Sequence, residues 1–256
     1  MSPDTCPTSQ DVVSMLHRPA TSNVGGLRTL ITPTALVLLL TFGATGCATT
    51  SNPDPIEPVN RKLFAFNEGF DKVVLKPAAR VYEAVLPQPV RKGVSNFFSN
   101  LGDPWSAVNL MLQGRFTDGL SDFGRFGTNT IVGLLGLIDV ASDWGMPRHG
   151  ESFSGTLGAW GVSPGAYIVV PLFGPSDTRG LVSLPINAIG SIQGQIADVG
   201  VRNSLTALNA VDARASFLEL SQRIDDMALD KYLFVRDAYI QRRDGKRAEA
   251  ELKSKE

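Results

Sequence analysis

Apolar residues recur at steps of three and four along most of the chain, which is the spacing of amphipathic helices. The clearest case runs from Pro89 to Leu101, where Val90, Val94 and Phe97 share one face and the opposite face is polar or basic. Helix-starting residues mark other segments. The pattern predicts further helices after Pro58, from Pro77 to Val85, from Pro104 to Gly114 with Asp103 as N-cap, from Thr117 or Asp118 through Ile131 and beyond, and across the last third of the chain.

The stretch NTIVGLLGLIDVASDWG, residues 129–145, is apolar on every side of a helix. A helix of that kind is buried in a protein core or immersed in lipid. The residues between Thr130 and Asp139 would span about 12 Å as a helix, against about 30 Å of bilayer hydrocarbon. The segment is therefore too short to cross a membrane, and Asp139 marks a return to polar surroundings.

The helical period is lost between Asp143 and Arg179, a region rich in glycine and proline. Residues 166–170, AYIVV, predict one short strand, and Ser176 or Asp177 can cap the helix that follows. These patterns predict a mainly α fold of irregular amphipathic helices with at most one short strand. One helical domain is expected over 58–243, followed by a charged, disordered tail over 244–256.

The N-terminus has the pattern of a secretory signal over residues 1–46. Arg28 precedes an apolar run from Ile31 to Phe42, and small residues lead to Cys47. The run is short for a membrane span, although a transmembrane anchor is the alternative. Ala44-Thr45-Gly46-Cys47 resembles a bacterial lipobox, which implies that Cys47 is the acylated first residue; the alternative is an ordinary cleavage site. Residues 47–57 are predicted to form a tether.

Charge and composition exclude several kinds of chemistry. Lys plus Arg number 24 and Asp plus Glu 25, a formal net charge of −1, which does not suggest a nucleic-acid partner. After the signal, the chain has a single histidine, His149, and a single cysteine, Cys47. We therefore expect no metal and no cofactor, and a surface hydrogen-bonding role for His149.

One catalytic motif matches by letter alone. Gly161-Val162-Ser163-Pro164-Gly165 fits the G-x-S-x-G nucleophile elbow. Pro164 has no N–H to donate to an oxyanion, the predicted strand follows the serine instead of preceding it, and no histidine comes later in the chain. We interpret the motif as a turn and predict that the protein is not an enzyme.

Aromatic residues lie on the apolar faces of the predicted helices. Phe97, Phe98, Trp105 and Phe123 are candidates for facing a membrane. The basic residues Arg91, Lys92, Arg115 and Arg125 are expected at the edges of these faces. Such helices can lie in the plane of one leaflet, and the same periodicity also fits a helical core beside the membrane.

Three motifs carry a family resemblance. N-R-x-x-F-x-F-N begins at Asn60, L-P-Q-P-V-R at Leu86, and N-T-x-x-G-x-x-G-x-x-D-V-A at Asn129. Together with flanking sequence over residues 54–243, they resemble the MlaA (VacJ) lipoprotein family. The long N-terminal extension and Ala44, where the lipobox usually has leucine, depart from the family pattern.

The resemblance implies a fold and a function. Members of this family form a ring-like helical disc within the periplasmic leaflet of the outer membrane. An amphipathic channel through the disc removes mislocalised phospholipids from the outer leaflet and passes them to a soluble periplasmic carrier. In some bacteria the disc associates with trimeric porins. Residue 48 is Ala and not Asp, which agrees with outer-membrane sorting.

The resemblance also suggests a role for the stretch at 129–145. Gly133 and Gly136, with Leu134 and Leu137 beside them, are candidates for a hinge or channel wall; close helix packing is the alternative. Two other functions remain open: a structural lipoprotein that scaffolds envelope proteins, and a membrane-bound lipid hydrolase.

Overall fold

The structure is a computed structural model in which residues 52–253 are described, with side chains described as far as residue 248. The predicted signal, Cys47 and the first part of the predicted tether, up to residue 51, lie outside this range. Ten α-helices and one β-hairpin follow each other in the described chain. They are α1 (Glu57–Phe70), α2 (Lys76–Val85), α3 (Gln88–Leu112), α4 (Phe116–Ile131), α5 (Val140–Asp143), α6 (Phe153–Ala159), β1 (Tyr167–Val170), β2 (Gly174–Asp177), α7 (Thr178–Gly190), α8 (Val199–Ser216), α9 (Leu218–Met227) and α10 (Lys231–Lys253).

The mainly α class is confirmed, and several helix boundaries agree with the sequence. A π-helical turn, Asp71–Leu75, joins α1 to α2. Pro77 lies in the first turn of α2, which ends at Val85 as predicted. A 3₁₀ turn, Gln193–Gln195, links α7 to α8. Asp177 caps α7 through a 2.7 Å bond from Gly180 N to its carboxylate.

The predicted break at Asp103 is wrong, because α3 continues through Pro104. Asp103 is fully buried and accepts a 3.0 Å bond from Arg148 Nε instead of capping a helix. An interior proline removes one helical N–H bond and costs about 3 kcal/mol. The buried contacts of α3 offset that cost, since α3 packs along α4 more extensively than any other pair of elements.

The predicted continuation of α4 into the apolar stretch is also wrong. The helix ends at Ile131, and the chain then turns through residues 132–138 before the short helix α5. Leu134 and Leu135 have φ of 53° and 60°, and Gly136 has φ of 90°. Three successive left-handed residues cannot extend a right-handed helix.

A second strand corrects the prediction of at most one. β1 pairs antiparallel with β2 from Tyr167↔Asp177 to Val170↔Gly174. The sequence of β2, GPSD, has no β-branched or aromatic residue, so its strand state depends on pairing with β1 and not on its own propensity.

The C-terminal helix extends through part of the predicted tail. α10 runs to Lys253, so residues 244–253 are helical where the sequence predicts disorder. Ala, Glu, Lys and Leu at 248–253 are strong helix formers, and they extend a helix that is already nucleated. None of the described helices has both the length and the apolar character required to cross a bilayer.

Apolar cores are small in this fold. One cluster centres on Ala79, Tyr82 and Ala215, between α2 and α8. Another centres on Tyr167, Val169 and Tyr232, between β1 and α10. Elsewhere, much of the buried interior of the described chain is polar.

Candidate functional site

We call residues 131–138 the apolar loop; they comprise the last residue of α4 and the turns that lead towards α5. The six branched aliphatic side chains of the loop expose between 46% and 83% of their surface. They are Ile131, Val132, Leu134, Leu135, Leu137 and Ile138. Burying such side chains in lipid is favourable by roughly 1.5–3 kcal/mol each when complete. The loop therefore presents several apolar side chains that would gain free energy on leaving water.

Backbone packing constrains both glycines of this loop. A Cβ on Gly133 would lie 2.1 Å from the carbonyl oxygen of Ile138. A Cβ on Gly136 would lie 2.6 Å from Asn100 Nδ2, and Gly136 has a left-handed φ. Both positions thus require glycine in this conformation, which supports the close-packing interpretation. Movement at these glycines stays a prediction.

Asparagine side chains hold the ends of the apolar loop. Asn96 Nδ2 donates to the carbonyl of Leu137 at 3.1 Å, and Asn100 Nδ2 donates to Thr130 Oγ1 at 3.0 Å. Asn129 accepts a 2.9 Å bond from Ala141 N. These bonds stabilise a backbone in which each left-handed leucine costs roughly 1–2 kcal/mol.

Arg125 lies at the centre of the polar interior and not at a helix edge, so its predicted position is wrong. Its side chain is 2% exposed. Nη2 donates to both carboxylate oxygens of Asp139 at 2.9 and 3.1 Å, and Nη1 donates to Ser142 Oγ and the Met146 carbonyl. Burial alone would raise the pKa of Asp139, but bonds from Ser142 and Asn129 and the charge of Arg125 lower it to about 2.

One buried carboxylate of α3 adjoins Arg125, and a second buried carboxylate lies on α4. Asp103 lies 3.7 Å from Arg125 Nε, and burial raises the pKa of Asp103 to about 6 although the charges of Arg148 and Arg125 oppose this. Asp122 accepts a bond from Ser106 at 2.5 Å. We call Asp103, Asp122, Arg125, Asn129, Asp139 and Arg148 the Arg125 network.

His149 joins the edge of this network, which corrects its predicted surface role. Nδ1 lies 2.8 Å from Asp122 and Nε2 lies 3.4 Å from Asp118. The His149 side chain is only 10% exposed. With Arg148, it fastens the segment after α5 onto α3 and α4.

The four aromatic candidates fall into two groups. Phe123 is 52% exposed on α4, as expected of a lipid-facing residue. Phe97, Phe98 and Trp105 on α3 are half-buried. The two phenylalanine rings pack edge to face at 5.4 Å, and Trp105 Nε1 donates to Asn187 at 2.9 Å. Trp105 therefore joins α3 to α7, and whether these side chains meet lipid stays a prediction.

The other basic residues expected at helix edges have different surroundings. Lys92 is exposed on α3. Arg91 pairs with Glu83 at 2.6 Å, and Arg115 pairs with Asp118 at 2.6 Å. Ser163 of the G-x-S-x-G match is exposed in the loop before β1, so the strand does follow the serine.

The described residues show an inverted distribution of polarity. More polar and charged side chains than apolar ones are fully buried, while many large aliphatic and aromatic side chains are exposed. Sequence reasoning missed the polar interior, although its signal is present. Asp122, Arg125 and Asn129 recur at steps of three and four on α4, so the buried face of this helix is polar.

Comparisons with known proteins agree with the motifs. The family model described as MlaA lipoprotein matches residues 52–246. "Intermembrane phospholipid transport system lipoprotein MlaA" of Escherichia coli K12 is 33% identical over 234 residues, covering 86% of this chain and 88% of that protein. The protein of the same name in Haemophilus influenzae is 33% identical over 227 residues, covering 82% and 88%.

Similar proteins also include one without an assigned function and one solved structure. An uncharacterised protein of Rickettsia felis is 33% identical over 190 residues, covering 72% of this chain and 74% of its own length. A solved chain from work on the "Structural basis for maintenance of bacterial outer membrane lipid asymmetry" has a TM-score of 0.66 and 33% identity, covering 75% of this chain and 97% of that chain. The extent of the family match, the identity of these relatives and the shared fold show that this chain belongs to the MlaA lipoprotein family.

Proposed function

We propose that the helical domain is embedded in the periplasmic leaflet of the outer membrane as a ring-like disc. The observation that supports this most directly is the inverted polarity of the described residues, with a charged interior and an aliphatic exterior. Each exposed apolar Å² that contacts lipid instead of water contributes about 25 cal/mol. The apolar loop and Phe123 are among the surfaces that gain from this environment.

The function we propose is the removal of mislocalised phospholipids from the outer leaflet through an amphipathic channel. A phospholipid needs apolar walls for its tails and polar groups for its headgroup along the whole path. Exposed aliphatic and aromatic side chains supply apolar surface for the tails, and exposed charged side chains such as Lys92 supply polar surface for the headgroup. Relatives named as intermembrane phospholipid transport lipoproteins support this assignment.

The proposed assembly includes an anchor and partners. An acylated Cys47 would tether the domain to the leaflet, since each buried CH₂ contributes about 0.8 kcal/mol. The extracted lipid passes to a soluble periplasmic carrier, and a trimeric porin is a candidate neighbour of the disc. No covalent bond in the lipid changes in the proposed transport.

The decisive experiment measures outer-leaflet phospholipid in a deletion strain of the source bacterium. A membrane-impermeant amine reagent labels surface-exposed phosphatidylethanolamine, and we expect labelling to rise in the deletion and to return to normal on complementation. Normal labelling in the deletion strain would refute the proposal.

Two sets of substitutions separate transport from the two alternative functions, a lipid hydrolase and a scaffold. Ser163→Ala and His149→Ala test a lipid hydrolase; loss of lipid asymmetry with either protein correctly folded would favour an enzyme. Polar substitutions in the apolar loop test a scaffold, because a protein that only holds partners should tolerate them while those partners remain bound.

A further inference from the structure

The N-R-x-x-F-x-F-N motif begins and ends with an asparagine, and both asparagines contact the β-hairpin. Asn60 and Asn67 are seven residues apart, two turns along one face of α1. Seven helical residues span about 10.5 Å, and three strand residues span about 10 Å. The two asparagines are therefore spaced to reach points three residues apart along β1.

Each asparagine supplies both hydrogen bonds that a neighbouring strand would supply. Asn60 accepts from Val169 N at 2.9 Å and donates to the Tyr167 carbonyl at 2.9 Å. Asn67 accepts from Leu172 N at 2.8 Å and donates to the Val170 carbonyl at 3.0 Å. Asn60 thus binds the strand itself, and Asn67 binds the turn at its end.

The turn held by Asn67 carries an exposed apolar tip. We define the hairpin tip as Pro171, Leu172 and Phe173, all of which are exposed, with Phe173 at 73%. Leu172 has φ of 67°, a left-handed conformation that leucine rarely adopts. Such a conformation persists only where the surroundings determine it. The Asn67 bond to Leu172 N contributes to this, together with the pairing of Val170 with Gly174 across the turn.

The hairpin tip shares a feature with the apolar loop. Within residues 52–253, the non-glycine residues with positive φ are Leu134, Leu135 and Leu172. All three are more than half exposed. In both segments, backbone strain is maintained where it directs a leucine side chain outward.

We infer that the hairpin tip is a second lipid-contact surface, which inserts among phospholipid acyl chains of the same leaflet, and that Asn67 is the residue that positions it. The inference rests on the proposed membrane-embedded function. Acyl chains fit this surface because the tip offers no side-chain hydrogen-bonding group or charge. Polar Ser176 and buried Asp177 follow at the base of the hairpin, where headgroups and water begin.

The test places an environment-sensitive NBD probe on a cysteine introduced into the full-length protein. Phe173→Cys reports on the hairpin tip, Leu135→Cys on the apolar loop, and Ser163→Cys on an exposed loop expected in water. Each protein is reconstituted in phosphatidylethanolamine–phosphatidylglycerol vesicles that contain doxyl-labelled phosphatidylcholine. The parent protein, labelled in parallel, corrects for Cys6 and Cys47.

We expect doxyl lipids to quench the probes at 173 and 135 and to leave the probe at 163 unquenched. A quenched probe at 135 with an unquenched probe at 173 overturns this inference and leaves the proposed function intact. If neither probe is quenched, the membrane-embedded function fails, and this inference fails with it. If the probe at 173 becomes shielded from water only after a partner protein is added, the inference is also overturned, because the tip then contacts protein instead of lipid.

Asn67→Ala tests the positioning role. Quenching at 173 should be lost, while quenching at 135 and the helical circular dichroism signal stay as in the parent protein. Asn203→Ala, at an exposed asparagine of α8, is the matched control and should change none of these signals. Unchanged quenching at 173 in Asn67→Ala would show that Asn67 does not position the tip.

Discussion

Several charged residues of this protein occupy fully buried positions, which apolar residues usually fill. Arg125 is only 2% exposed, and its guanidinium group links α4 to the segment that follows the apolar loop. Removing one partner of a buried ion pair leaves the other charge unpaired in a medium that solvates it poorly. The residue at the centre of this network is therefore the most sensitive position for substitution.

Arg125→Ala should lower the free energy of unfolding by about 3–5 kcal/mol, because Asp139 and Asp103 lose their buried counter-charge. Denaturant titration in detergent, followed by circular dichroism, measures the change. The control is Arg223→Ala, which removes an ion pair with Glu219 whose side chains are 67% and 80% exposed. That exposed pair should matter by less than about 1 kcal/mol. Equal losses in the two variants would contradict the importance of burial.

Asp103 predicts a pH dependence of stability. Its pKa is raised from 3.8 to about 6 by burial, so the folded state holds a proton that the unfolded state has released between these values. Stability from this group is complete below pH 3.8 and is lost as the pH rises through 6. Unfolding at pH 5 should therefore require about 1 kcal/mol more than at pH 7.

The control for this pH effect is Asp103→Asn, which removes the titrating group. The difference between pH 5 and pH 7 should then decrease by the contribution of Asp103. Asp139 does not interfere, since its pKa of about 2 confines its loss of stability to the range between pH 3.8 and 2. A pH dependence unchanged in Asp103→Asn would assign the effect to other groups.

Among the helices and strands, sequence signals predict the boundaries correctly where interactions within one turn determine the backbone conformation. Pro77 and Asp177 start α2 and α7 as predicted, because a fixed φ and a capping carboxylate act within one turn. The same reasoning failed at Asp103 and Pro104. There, ion pairs to Arg148 and Arg125, far along the chain, keep one helix continuous. Tertiary contacts of this kind have no local sequence signal.

The apolar loop shows the same limit of sequence reasoning. Its composition predicts contact with lipid or core, but not that α4 ends at Ile131. The end of the helix depends on Gly133 passing close to Ile138 and on asparagines from α3. The two glycines indicate that the backbone here needs conformations or close contacts that other residues do not allow. They do not indicate whether the backbone moves as a hinge or packs closely.

Gly133→Ala should destabilise the protein by about 1–3 kcal/mol, because the new methyl group would clash with the Ile138 carbonyl. Thermal unfolding and the amount of protein recovered in the membrane measure the effect. Gly124→Ala is the control on α4, where no atom outside the helix's own backbone would lie within 4 Å of the added methyl group, and it should stabilise the helix by about 0.5–1 kcal/mol.

The hypothesis that the loop glycines form a hinge makes a different prediction from close packing. Because proline carries the same Cβ and lacks the N–H that donates to Thr128, Gly133→Pro should destabilise the protein at least as much as Gly133→Ala; impaired phospholipid removal by a Gly133→Pro protein that still assembles in the membrane would favour movement. A Gly133→Ala protein of normal stability that fails to clear phospholipid would also favour movement over packing.

At the scale of the whole molecule, the exposed leucines of the apolar loop can be removed without disturbing the backbone. Leu134→Asn with Leu135→Asn replaces apolar surface by a residue that tolerates the left-handed region. Thermal stability in detergent should stay the same or rise. Under the proposed function the loop contacts acyl chains, so complementation of the deletion strain should fall severalfold.

The readout for this double variant is surface labelling of phosphatidylethanolamine at matched protein levels in the membrane. Full complementation would show that the apolar loop is not needed for transport.

Family membership and the helical class follow from the sequence, whereas the polar interior and the asparagine contacts to β1 depend on pairs of residues distant in the chain.

The aliphatic exterior has a consequence for biogenesis. A chain that folds with leucines, valines and phenylalanines on its surface is poorly suited to travel alone through an aqueous compartment, where such surfaces associate with each other. Under the proposed localisation, export to the outer membrane therefore requires an escort that shields this exterior, or a delay of folding until lipid is within reach. Aggregation during export, and not loss of the folded state, is then the failure that overproduction should reveal first.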